Sequence, residues 1–229
     1  MRILYLQHIS FEGLGSMENF FVAKGSQLSR TCMYADQSLP SIHEIDALII
    51  MGGPMGVYDE AQYPWLVLEK EFIESVVQRK IPVFGVCLGA QLIASVLGAS
   101  VQKNHQEEIG WFPVERKLNT PFAMLDKFPQ QFDALHWHSD TFAIPSGADN
   151  FLQTAGCANQ GFIYDQHVLA LQFHLEMLPS NVQTIYQECG NQDKEGEYIQ
   201  GLDAMLAPAE KFQQASRTLE QVLEAFIFQ

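Results

Sequence analysis

"PVFGVCLGAQ", Pro82 to Gln91, is the stretch that decides the fold. An apolar run (Val83, Phe84, Val86) stops at Cys87, which has a glycine two residues to either side, Gly85 and Gly89. Helical spacing follows at once in Leu88, Leu92, Ile93, Val96 and Leu97. A buried strand that bends sharply into a helix pushes one side chain out at the carboxyl edge of a sheet, where open α/β folds place their ligands. The residue at the apex is strained, and its neighbours must be small for the chain to fold back. Gly85 and Gly89 meet that need. The apex also sits at a helix N-terminus, where backbone N–H groups favour a thiolate. The N–H of Leu88 would face an oxyanion formed on attack. A free cysteine is more commonly a small core residue, but the glycines and the strand-to-helix switch point to a nucleophile.

Outward from this bend, the first hundred residues alternate strand and helix. "RILYLQ" (Arg2–Gln7) reads as a strand, "SMENFFVAKG" as a helix with Ser16 as cap and Gly25 as stop, and the region of Cys32 as a weak strand. "DALIIMGG" reads as a buried parallel strand. "YPWLVLEKEFIESVVQRK" predicts a helix with Trp65, Leu68, Phe72 and Val76 on its inner stripe and Lys/Arg in its last turn. Such alternation implies a parallel sheet with helices on both faces.

After Gly98 come short strand-like runs: "ASVQKN", "IGWFPVER", "FDALHWHSDTF", "NFLQTA", "GFIYD" and "VLALQFH". The last fifty residues return to helix in "SNVQTIYQEC", "EYIQGLDAML" and "EKFQQASRTLEQVLEAFI". The expected architecture is a flavodoxin-like α/β three-layer sandwich, mostly parallel, with short antiparallel strands added. It forms a single domain over 1–229, with a core of about 1–178 and a helical extension of about 179–229.

Bulk properties exclude several classes. The 229 residues carry 13 Lys plus Arg against 27 Asp plus Glu, a formal charge of −14. An acidic chain without a basic cluster repels phosphate backbones, so no nucleic acid is expected. No apolar run approaches the roughly 18 residues of a membrane span, and the N-terminus lacks a signal peptide's pattern. Cys32, Cys87, Cys157 and Cys189 are scattered without CxxC spacing, which fits a reducing cytoplasm better than a disulfide framework or a structural zinc site. "GGPMG" lacks the Lys-Ser/Thr of a phosphate loop, and "GLGSME" (Gly13, Gly15) has too few glycines for a dinucleotide fingerprint. No cofactor is expected.

Two further stretches complement Cys87. In "LQFHLEM", His174 and Glu176 are two apart, so an extended backbone turns both to one side. A carboxylate there fixes the imidazole's tautomer and stabilises its charged form. In "IIMGGPMG", Gly52 and Gly53 directly follow a buried strand, and Gly53 is placed to give a second oxyanion donor. A rival signal is "HWHSD", in which His136 and His138 could share a metal. Thr141 stands where that pattern needs another His, so no metal is expected.

The three motifs, "GGP" at Gly52–Pro54, "GVCLGAQ" at Gly85–Gln91 and "QFHLE" at Gln172–Glu176, stand in an order that resembles the class I (Cys-His-Glu) glutamine amidotransferases. "EIGW" at Glu108–Trp111 and "WHSD" at Trp137–Asp140 are similar to the glutaminase domain of GMP synthase and its stand-alone relatives. The resemblance implies that Cys87 attacks a glutamine side-chain amide, His174 protonates departing ammonia and water hydrolyses the thioester. It places Gly53 and Leu88 at the oxyanion, and Gly52, Gln91, Ser139 and Asp140 around the substrate. It also implies glutamine or another γ-glutamyl amide as substrate, and a separate synthetase chain as acceptor, because too few residues follow Glu176 for one here. The alternatives are a γ-glutamyl peptide hydrolase with the same triad and a non-catalytic binding or regulatory subunit. Leu175 departs from the family's proline, which would stiffen the His–Glu pair. The oligomeric state stays open.

Overall fold

The computed structural model describes residues 1–35, 37–117, 122–189 and 194–228. Residues 190–193 and 229 of the expected helical extension lie outside them. The strands are β1 (Arg2–Gln7), β2 (Gln27–Cys32), β3 (Ala47–Ile50), β4 (Val83–Val86), β5 (Val101–Arg116), β6 (Gln131–Phe142), β7 (Ala148–Gln153), β8 (Gly161–Tyr164) and β9 (Val168–Leu171). The helices are α1 (Ser16–Ala23), α2 (Trp65–Gln78), α3 (Leu88–Val96), α4 (Pro179–Glu188), α5 (Leu202–Leu206) and α6 (Ala209–Ile227). The nine strands among the described residues form one sheet in the order β2-β1-β3-β4-β9-β8-β7-β5-β6.

The α/β sandwich is as expected, but the sheet is evenly mixed. The pairings from β2 to β9 are parallel, and those from β9 to β6 are antiparallel. Nor are the antiparallel strands all short. The runs "ASVQKN" and "IGWFPVER" merge into the 16-residue β5, which passes through an irregularity between Lys103 and Glu108.

Strand alternation sorts the apolar side chains to two faces. Ile3, Ile49 and Phe84 pack on one side with residues of α1, α4, α5 and α6, such as Phe21, Ile185, Met205 and Leu223. Leu4, Leu48 and Val83 pack on the other with α2 and α3. No helix among the described residues is long and apolar enough to cross a membrane.

Four local expectations are corrected. Ser16 is not a cap: Gly15 occupies that position at φ 54° with no side-chain cap bond. The Ser16 N–H instead donates to the Glu176 carbonyl at 2.8 Å, so tertiary docking satisfies this helix end. The inner stripe of α2 is Leu66, Glu69, Phe72, Ile73, Val76 and Val77, whereas Leu68 is 61% exposed. The helix stops at Gln78, ahead of its basic residues. The segment "EYIQ" is not helical, because Ile199 bridges to Ile109 of β5 and takes the chain off along the sheet.

The bend after β4 is as tight as the glycines imply. A Cβ on Gly89 would lie 2.1 Å from the Ile50 backbone oxygen, and one on Gly85 would lie 2.8 Å from the Gly89 backbone. Backbone cannot yield as a side-chain tip can. We therefore expect Gly89→Ala to cost about 3 kcal/mol, at the upper end of overpacking, and to lower the midpoint of a thermal melt by about 5–10 °C. An unchanged melt would show that α3 can move off β3.

Candidate active site

Cys87 occupies the apex between β4 and α3 at φ 53°, ψ −109°. That backbone is strained for a residue with a side chain, and such strain clusters at functional sites. Its N–H is anchored on the Leu171 carbonyl of β9 at 2.8 Å. The thiol is not walled into the core: Cys87 is 7% exposed and lines a cavity of about 650 Å³. Its Sγ lies 3.7 Å from the Trp137 carbonyl of β6.

The chain beyond β9 crosses toward β6 and supplies the second group. His174 and Leu135 exchange backbone hydrogen bonds of 2.8 and 3.2 Å, which seats the imidazole beside the cavity. The His174 Nδ1 and Glu176 Oε1 are 2.7 Å apart, both side chains being nearly inaccessible. Burial works against a charge on His174, but the Glu176 carboxylate and the neighbouring Cys87 thiol outweigh it and hold the imidazole well above its ordinary range. The position of Leu175 has a physical consequence. Its N–H donates to the other Glu176 oxygen at 3.0 Å, a bond that proline, lacking the N–H, could not make. The rigidity lost with the ring is offset by direct anchoring of the carboxylate.

Gly52 and Gly53 follow β3 as expected. A Cβ on Gly52 would lie 2.3 Å from Glu12 Oε2, 3.3 Å from His174 Cε1 and 3.6 Å from Cys87 Cβ, so only bare backbone fits among these three groups. Gly53, Gln91, Ser139 and Asp140 all line the same cavity. Leu88, at the first turn of α3, is fully buried. The Gln91 amide donates to the Gln172 Oε1 at 3.1 Å, which settles its orientation.

Three cavity residues had no signal in the sequence. Tyr58 donates to Asp140 Oδ2 at 2.7 Å, and that bond pushes the phenol up to about 12. Lys103 Nζ lies 3.0 Å from Asp140 Oδ1 and 3.1 Å from Ser139 Oγ. Glu12 also lines the cavity, and burial raises its carboxyl against the pull of His174.

Glu108, His136 and His138 bring ligand-capable atoms within 4.8 Å of one another, so the histidine pair of "HWHSD" does converge on a third group. Here Glu108 already accepts hydrogen bonds from Thr154 Oγ1 at 2.6 Å and Gln160 Nε2 at 2.6 Å, with His138 Nε2 3.0 Å away. Burial pushes this carboxyl up, but the histidines and Thr154 prevail and hold it at about 2. A cation at this point would compete with hydrogen bonds already made. His138 Nδ1 in turn lies 3.0 Å from the Asp140 carbonyl, tying the network to the cavity wall.

A charge-stabilised imidazole beside a thiol at a strained apex, with bare backbone facing both, is equipped for covalent acyl transfer. Residues 22–189 match the family model described as glutamine amidotransferase class-I. The glutamine amidotransferase-like protein YfeJ of Salmonella typhimurium is 30% identical over 194 residues, 82% of this chain and 80% of that one. A GMP synthase (glutamine-hydrolyzing) of Borrelia garinii is 31% identical over 137 residues, 59% of this chain but only 24% of that much longer one. The crystal structure of a glutamine amidotransferase from Thermotoga maritima superposes with a TM-score of 0.90 at 30% identity, covering 100% of this chain and 99% of that one.

Proposed function

Because the chain belongs to the class-I glutamine amidotransferases, we propose that it hydrolyses the side-chain amide of glutamine through a cysteinyl γ-glutamyl thioester, with Cys87, His174 and Glu176 as its triad. The single observation that carries this reading is that Cys87, at its strained apex, lines the same cavity as His174, whose Nδ1 is paired with Glu176 at 2.7 Å.

Cys87 Sγ attacks the amide carbon, and the thiol proton resides on His174. The carbonyl oxygen becomes an oxyanion facing the N–H groups of Gly53 and Leu88. Collapse of this intermediate breaks the C–N bond as His174 gives its proton to the nitrogen, and ammonia leaves. Water then attacks the thioester with His174 as base, releasing glutamate and restoring the thiol. Glu176 holds the Nδ1 proton and balances the imidazolium. Gly52, Gln91, Ser139 and Asp140 would hold the remainder of the substrate. The chain spans about a quarter of the length of the GMP synthase it matches. Transfer of the ammonia to an acceptor on a separate chain is part of this proposal. A reducing cytoplasmic setting is supported by the four cysteines, all of them free.

The test compares glutamine with γ-glutamyl peptides, reading ammonia and free glutamate. Ammonia from glutamine is the expected result. Glutamate from peptides with no ammonia from glutamine would replace this reading with a γ-glutamyl peptide hydrolase. Silence on both, with no covalent adduct on Cys87, would leave a binding or regulatory subunit.

A further inference from the structure

Just past β1, His8 is fully buried, both its ring nitrogens face partners, and the chemistry above gives the ring no part. Nδ1 lies 3.0 Å from the Gly52 carbonyl oxygen and Nε2 lies 2.7 Å from Glu69 Oε1. Neither the His8 nor the Glu69 side chain has any exposed surface. A carbonyl oxygen can only accept, so Nδ1 carries a proton whichever of His8 and Glu69 holds the other. Glu69 projects from the apolar inner face of α2, between Leu66 and Ile73, where an unpaired carboxylate would be costly. The imidazole is further fixed by stacking on Trp65, with centroids 5.8 Å apart and planes at 21°. Burial opposes a charge on the ring, yet Glu69 and the Gly52 carbonyl outweigh it and raise His8 above its ordinary range.

What this buried pair holds is a peptide plane. In a trans peptide the C=O and the following N–H point in opposite directions, and the described chain contains no cis peptide bond. The Gly52 carbonyl and the Gly53 N–H belong to one such plane. Between two glycines, rotation of that plane meets the least steric resistance the backbone can offer. Something other than side-chain bulk must therefore choose its orientation. With the carbonyl fastened toward His8, the Gly53 N–H is directed to the opposite side. Gly53 lines the cavity, and Gly52 faces Glu12, His174 and Cys87.

We propose that His8, held by Glu69, is a positioning residue for the oxyanion site: by donating Nδ1–H to the Gly52 carbonyl, it locks the Gly52–Gly53 peptide with the Gly53 N–H turned toward Cys87 and its substrate. The same hydrogen bond polarises the peptide and strengthens that N–H as a donor. This inference rests on the glutaminase reading and deepens it.

Two amide substitutions separate the ring's two nitrogens. In His8→Asn the side-chain amide falls near the position of Nδ1 and can still donate to Gly52. In His8→Gln it falls near Nε2, keeps a partner for Glu69 and leaves the Gly52 carbonyl without a donor. The full chain is assayed for glutamine kcat and KM, for binding of glutamate and of an aldehyde analogue of glutamine that adds to the Cys87 thiol, and for its thermal melt. His8→Gln is expected to lose about 10²-fold in kcat, the scale of one oxyanion donor, with KM and glutamate affinity little changed and aldehyde affinity reduced in step. His8→Asn is expected to recover most of that loss.

Equal turnover in the two variants, or a loss that follows melting temperature rather than the Asn/Gln difference, overturns the proposal. If His8→Gln does not fold, His8→Leu combined with Glu69→Gln carries the test, because it removes the donor without stranding a carboxylate. Full kcat in that double variant overturns it as well. A wild-type protein that neither releases ammonia nor binds the aldehyde overturns the glutaminase reading itself, an outcome seen before any His8 variant is made.

Discussion

Replacing Cys87 with alanine is expected to lower ammonia release from glutamine by about 10⁴-fold or more, because it removes the thiol that the proposed mechanism acylates. The fold should tolerate the change. Alanine inherits the same φ of 53° and therefore the same strain, and the sulfur it removes faces a cavity rather than a packed core. The thermal midpoint should stay within a few degrees of wild type. Cys87→Gly is equally inactive, and its melt should not fall below that of the alanine variant, because glycine accepts positive φ without penalty. Intact-protein mass spectrometry should find the γ-glutamyl adduct on Cys87 in the wild type and none in either variant. A melt lowered as for a core truncation, with ammonia release intact, would mean that Cys87 is a packing residue.

His174→Ala is expected to cost about 10²–10⁴-fold in turnover, the range of a general acid–base group. The pH dependence gives a sharper reading. Glu176 and the thiol outweigh burial and raise His174 well above its ordinary value, so the proton that the proposed mechanism gives to the leaving nitrogen is retained to higher pH. The alkaline limb of kcat should lie above the usual histidine range of about 6.5, and Glu176→Gln should move it back toward that range. Stability follows the same sign. A histidine whose folded value is raised contributes fully below its unfolded value, and that contribution is lost as pH rises through the folded one. Wild-type stability should therefore decline on the alkaline side, and Glu176→Gln should flatten that decline. A limb that does not move would detach Glu176 from His174, and near-normal turnover in His174→Ala would assign the proton transfers elsewhere.

Much of the candidate site was readable because its geometry is local. Gly85, Cys87 and Gly89 describe one bend, and the close approach of Gly89 to Ile50 is what that spacing demands. His174 and Glu176 are neighbours through two residues of backbone, so their pairing needs little else. Sequence periodicity was least reliable where another element intervened. Ser16 reads as a cap, but its N–H meets Glu176 instead. Leu68 reads as a core residue, but the inward position belongs to Glu69, whose partner lies 61 residues away. Leu175 reads as a loss of stiffness, and only the placement of Glu176 turns its N–H into an anchor.

Order along the chain was enough to specify the strand–bend–helix unit, the cysteine at its apex and the imidazole–carboxylate pair, since each depends on spacing within a few residues. The partners of the polar groups around them came only from folding: Glu69 for His8, Tyr58 and Lys103 for Asp140, Thr154 and Gln160 for Glu108. The reason is energetic. Buried polar groups must find partners, but many folds of the chain could supply one, and which residue does so is settled by the sheet's strand order rather than by any short-range pattern.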